Sequence, residues 1–87
     1  MGLVMNKIEE PIEVVALLSR VSLAMDDDAV VGTVIGIQIR PADGGAKQVM
    51  YEIEWWDGRQ ARSSWFYRSS VFPTDGKSRY TRIGFSG

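Results

Sequence analysis

Apolar and polar residues alternate most regularly between Gln48 and Trp56. Val49, Tyr51, Ile53 and Trp55 share one parity, and Gln48, Met50, Glu52, Glu54 and Trp56 share the other. Successive side chains of a strand point to opposite faces. The stretch therefore predicts a strand with one buried face and one glutamate-bearing face turned to water. Trp56 falls on the glutamate face. Asp57-Gly58 follows at once, a hairpin signal, and Arg62 to Arg68 resumes as a strand carrying the triplet Trp65-Phe66-Tyr67. Upstream, Val31, Thr33, Ile35, Ile37 and Ile39 alternate with Gly32, Val34, Gly36, Gln38 and Arg40, which predicts a strand over 29–40. Gly32 and Gly36 share a face of it, as at a bend or a close backbone approach. Pro41 to Lys47 reads as a turn. Ser69 to Phe72 reads as one helical turn stopped by Pro73, and Asp75-Gly76 leads into a closing strand over 78–85.

Residues 11–25 support two readings. Pro11 suits the first turn of a helix, and Val14, Leu17, Leu18, Val21 and Met25 fall at helical spacing. Ile12, Val14 and Val15 are β-branched, however, and Ile12, Val14, Ala16 and Leu18 alternate. A short N-terminal helix and a first strand fit equally. Residues 1–10 read as a flexible lead-in, 11–87 as a single domain, and Asp26-Asp27-Asp28 as a solvated turn. Strands near 29–40, 48–56, 61–68 and 78–85 are expected in one strongly curved antiparallel sheet. The expected class is mainly β: a small antiparallel barrel of four to five strands, because closure removes exposed edges.

Length sharpens this picture. A chain of 87 residues makes one domain and buries a modest share of its surface, so it must use its apolar residues efficiently or share a core with a second copy. The sequence contains no cysteine and no histidine. That excludes disulfides, thiolate zinc sites and a cysteine nucleophile, and removes the commonest general base. Lack of cysteine fits a cytoplasmic setting. The longest apolar run, Val14 to Leu18, is far short of the ~20 residues a membrane helix needs, and the first residues lack the pattern of a signal peptide. The aspartate run lacks the spacing of a calcium loop, and no phosphate loop or nucleophile elbow is present. Neither a metal nor a cofactor is expected. Charge is unevenly divided: residues 1–56 balance at −5 and residues 57–87 at +4. Such a split either orients a partner or is neutralised within the fold.

The run Gly32-Thr33-Val34-Ile35, then Tyr51-Glu52-Ile53-Glu54-Trp55-Trp56-Asp57-Gly58, Trp65-Phe66-Tyr67 and Val71-Phe72, resembles the Tudor-like and Src-homology-3-like barrels over residues 31–72. The resemblance implies a small barrel of four to five strands and, in the Tudor case, an aromatic cage for a methylated lysine or arginine. Tyr51, Trp55, Trp56, Phe66 and Tyr67 would supply its rings, each worth about 0.5–2 kcal/mol when well placed against a cation. In size and barrel type the chain also looks similar to type II dihydrofolate reductase, with Trp65-Phe66-Tyr67 near that family's pore-lining segment. That likeness implies an enzyme assembled from several copies, although a bulky triplet stands where that pore is open.

The residues themselves point to a binding surface. Trp56, Trp65, Phe66 and Tyr67, with Arg59, Arg62 and Arg68 among them, are the candidate contacts. Exposed tryptophans and arginines dominate binding hot spots. The expected function is a non-catalytic interaction module for a protein or peptide partner, or for a second copy in a homodimer. Arginines interleaved with aromatics also suit single-stranded nucleic acid, though an isoelectric point of about 5.3 argues against a polyanion.

Overall fold

Strand propensity prevails over helical spacing where the two compete, between Pro11 and Met25. A computed structural model describes residues 8–25, 28–74, 76 and 78–86. The start of the lead-in (1–7), Asp26 and Asp27 of the acidic run, and Asp75 of the last expected turn lie outside the described residues. Among the described residues seven antiparallel strands follow one another: β1 (Ile8–Val15), β2 (Arg20–Met25), β3 (Asp28–Pro41), β4 (Lys47–Trp56), β5 (Ala61–Tyr67), β6 (Val71–Pro73) and β7 (Tyr80–Ser86). A 3-10 turn, Arg68–Ser70, sits where a single helical turn was expected. Five strands form one sheet in the order β5-β4-β3-β2-β6, while β1 and β7 form a separate two-stranded ribbon.

Two expectations are corrected here. The small antiparallel four- to five-stranded barrel does not form. β5 and β6 end the sheet without pairing with each other, and β7 joins β1 rather than the main sheet. The apolar face is covered by the ribbon instead of by closure. Nor do residues 11–25 form a short N-terminal helix. β-branched Ile12, Val14, Val15 and Val21 lie in β1 and β2, and a tight turn at Leu17-Leu18 interrupts the helical spacing between them. Among the described residues no helix is long and apolar enough to cross a membrane.

The core lies between the ribbon and the inner face of the sheet. Val14 and Val15 of β1 are buried with Val21, Leu23, Val34, Val49, Tyr51, Ile53 and Val71. Ile12, Ile37, Ile39, Trp55, Phe66 and Ile83 pack around them. The expected inner face of β4 is thus the inner face found. The buried hydroxyl of Tyr51 accepts a hydrogen bond from the Val15 amide at 3.0 Å, which pins β1 to the sheet. In the ribbon Glu13 stands opposite Arg82, a pair of opposite charges at one position of the register. The molecule remains elongated, 62 × 27 × 19 Å, with a radius of gyration of 15.9 Å. A compact chain of this length would have about 12 Å.

A bulge sets the faces of β3. Val34 pairs with Ile53 and Gly36 with Glu52, leaving Ile35 as an extra residue. One inserted residue reverses every following side chain. Gly32 and Val34 therefore point inward before the bulge, and Ile37 and Ile39 point inward after it, opposite Tyr51 and Val49.

The β1–β2 turn holds a leucine in an unfavourable conformation. The Ser19 amide donates to the Ala16 carbonyl, and the Leu18 amide donates to the Val34 carbonyl at 2.7 Å. Ser19 is buried, its hydroxyl bridging the Arg79 amide and carbonyl. These bonds fix Leu18 at φ 69° with its side chain 69% exposed. A non-glycine residue in this left-handed region costs about 1–2 kcal/mol. Leu18→Gly is expected to stabilise the fold by about 1 kcal/mol, since the exposed side chain leaves no cavity. Thermal denaturation checks this: a melting temperature unchanged or lowered would show that the turn is unstrained.

Candidate interaction face

The outer face of the five-stranded sheet has no other element packed on it among the described residues, and strand register arranges its side chains in rows. Ser22 of β2 pairs with Phe72 of β6 on one side and Val31 of β3 on the other. Gly32 pairs with Trp55, which brings the next residues, Val31 and Trp56, alongside each other, and Trp56 pairs with Ala61 of β5. The row Phe72–Ser22–Val31–Trp56–Ala61 thus crosses all five strands. Trp56 is 65% exposed, and Phe72 and Val31 are each 48% exposed. The next row is polar: Arg20 pairs with Thr33, Thr33 with Glu54, and Glu54 with Ser63.

A third row joins Gly36, Glu52 and Trp65. A Cβ at Gly36 would lie 3.1 Å from the Glu52 side chain and 3.2 Å from Cη2 of Trp65. The Trp65 indole therefore reaches across β4 to the glycine, an arrangement that shields a bare backbone within a sheet. Beyond it Gln38, Met50 and Tyr67 form a fourth row. Arg20, Val31, Thr33, Glu54, Trp56 and Ala61 line a shallow open cleft of about 220 Å³ at the Trp56 end of the face.

The candidate residues separate onto two faces. Trp56, Trp65 and Tyr67 are together on the outer face. Phe66 points inward, half-buried, and meets Trp55 edge to face with ring centroids 5.8 Å apart. Of the five residues suggested for an aromatic cage, Tyr51 is in the core, Trp55 and Phe66 border it, and Trp56 and Tyr67 lie on the opposite side. They do not converge on one point. Arg68 donates to the Glu13 carbonyl of β1 at 3.1 Å and so ties the main sheet to the ribbon. Arg59 occupies the β4–β5 hairpin, exposed.

Arg62 is engaged by the same hairpin. Its Nε donates to Asp57 Oδ2, while Asp57 Oδ1 accepts from the Arg59 amide at 2.8 Å and the Gln60 amide at 2.9 Å. The Arg62 guanidinium, followed by the Gln60 and Arg59 amides, lowers the Asp57 carboxyl from 3.8 to about 2. The folded value lies below the unfolded one, so this contribution is complete above about pH 4 and is lost as the pH falls toward 2. The melting temperatures of the wild type and Asp57→Asn are expected to differ at neutral pH and to converge between pH 4 and pH 2. A constant difference across that range would show that the carboxylate charge contributes nothing.

Sequence reasoning missed Phe72, Val31, Arg20 and Glu54. Each is unremarkable in its own segment, and only the pairing of β6, β2, β3 and β4 aligns them with Trp56. Compared with known proteins, the chain matches no family model, no curated protein and no solved structure.

Proposed function

We propose that the chain is a non-catalytic interaction module and that the outer face around Trp56 binds a segment of protein. The observation that carries this reading is the line of exposed Phe72, Val31 and Trp56 beside a cleft flanked by Arg20 and Glu54. Large apolar side chains gathered on one uncovered face mark a contact surface. Tryptophan within such a face is the side chain that most often dominates binding energy. A protein segment suits the surface better than a nucleic acid does. Glu52 and Glu54 stand among the aromatics, Arg62 is engaged by Asp57, and Arg68 by β1. The lack of cysteine accords with a module working in the cytoplasm.

Selection of a random-peptide display library on the purified chain tests the reading. Enriched peptides are expected to lose about 30-fold or more in affinity on Trp56→Ala, the loss typical of a hot spot. The melting temperature should stay nearly unchanged, because the indole is largely in water. Peptides that bind the Trp56→Ala variant equally well, or a large loss of stability in it, would reject this face as the contact surface.

A further inference from the structure

The outer face is self-complementary, and we infer that its occupant is a second copy of this chain, docked face to face about a two-fold axis running along β3. The inference rests on the interaction reading above and names the partner. Arg20 and Glu54 flank Thr33 on either side, one strand each from β3. Two strand spacings of ~4.8 Å keep them roughly 10 Å apart along the sheet, and neither side chain has an ion pair among the described residues. A half-turn about β3 exchanges the two positions. Arg20 then faces the partner's Glu54, and Glu54 faces the partner's Arg20, so one contact forms twice.

The apolar row obeys the same operation. Val31, on the axis, meets the partner's Val31. Trp56, the largest side chain of the row, meets the partner's Ser22, beside the partner's Arg20. Phe72 meets the partner's Ala61. Each large side chain thus falls over a small one, and each charge over its opposite. The cleft beside Thr33 leaves room for an aromatic ring. Packed sheets cross at ~30°, which displaces a residue one strand from the axis by only ~2 Å, within an arginine's reach. The alternative orientation, with the axis across the strands, would set Arg20 against the partner's Arg20 and Glu54 against the partner's Glu54. Like charges in such positions are strongly disfavoured.

Sedimentation velocity on the full 87-residue chain at low ionic strength tests this. The wild type is expected to dimerise, with weaker association as salt screens the pairs. Arg20→Glu and Glu54→Arg each turn two attractions into two repulsions and should weaken the dimer by about 10- to 100-fold. Mixing these two variants restores both attractions, so the mixture should return to the dimer although neither component forms one. The double variant Arg20→Glu/Glu54→Arg should also dimerise. Val31→Asp sets like charges together on the axis and should dissociate the dimer without rescue by either charge variant. Circular dichroism confirms that each variant folds. A wild type that stays monomeric at every concentration, single variants that still dimerise, or a mixture without recovery would overturn the inference. A monomeric wild type that still binds selected peptides through Trp56 would overturn the second copy alone and leave the interaction reading standing. Loss of both would remove both.

Discussion

Truncating Tyr51 to alanine is expected to lower stability by about 3–5 kcal/mol, the usual cost of removing a large aromatic side chain from a core. Tyr51 is fully buried, and it joins the two layers. Its ring packs against the inner face of the sheet, and its hydroxyl takes the Val15 amide of the ribbon. For a domain this small such a loss approaches the whole folding free energy. Tyr51→Phe separates the two contributions. It keeps the ring but leaves the Val15 amide buried without an acceptor, which costs about 1–3 kcal/mol. Urea denaturation gives both values. Hydrogen exchange at the Val15 amide should quicken in Tyr51→Phe beyond what the global loss explains. A Phe variant as stable as the wild type would show that the ribbon is held by apolar packing alone.

Gly32→Ala is the second large effect. A Cβ at this position would fall 2.5 Å from Cγ2 of Ile53 and 2.8 Å from the Glu54 carbonyl oxygen. Ile53 is fully buried and β4 is paired on both sides, so neither neighbour can withdraw cheaply. Overpacking of this kind costs about 1–3 kcal/mol, and the backbone contact places the expected value near the top of that range. That corresponds to a fall in melting temperature of roughly 10–20 °C for a domain of this size. Gly36→Ala is the control. Its Cβ would press at 3.1–3.2 Å on the Glu52 and Trp65 side chains at the surface, which can yield. Equal losses in the two variants would show that β4 adjusts freely to Gly32.

The inner face of β4 was legible because its alternation is unbroken: Val49, Tyr51 and Ile53 are buried, Trp55 borders the core, and Trp56 is exposed as its parity requires. β3 was legible as a strand but not in its faces. Val31 and Ile39 have the same parity in sequence, yet the bulge at Ile35 puts one on the surface and the other against the core. Gly36 beside Ile35 marks a bend there, but composition does not say that a residue is inserted and the faces exchanged. The break between β1 and β2 was hidden for a similar reason. Its turn uses Leu17 and Leu18, with none of the glycine, asparagine or proline that usually punctuates a chain. The division into sheet and ribbon depends on β1 meeting β7 and β2 meeting β6, pairings between distant segments that periodicity cannot report. The same holds for the outer face. Trp56 could be singled out from its neighbours, but Phe72 and Arg20 join it only through register. Alternation sets Phe66 opposite Trp65 and Tyr67 but does not say which side is core; the fold turns Phe66 inward.

The pairing of β1 with β7 also bears on the order in which the molecule assembles. Hairpins β2–β3, β3–β4 and β4–β5 each join neighbours in sequence, so they close short loops. Val15 pairs with Tyr80 and Ile8 with Ser86, contacts that span most of the chain. The entropy of closing so long a loop is recovered only after the intervening sheet has shortened the path between its ends. The ribbon is therefore expected to form last and to open first, with its amides the earliest to exchange. While it is open, the valines and isoleucines of the inner face are bare. Association through the outer face would not protect them, because it leaves that side untouched.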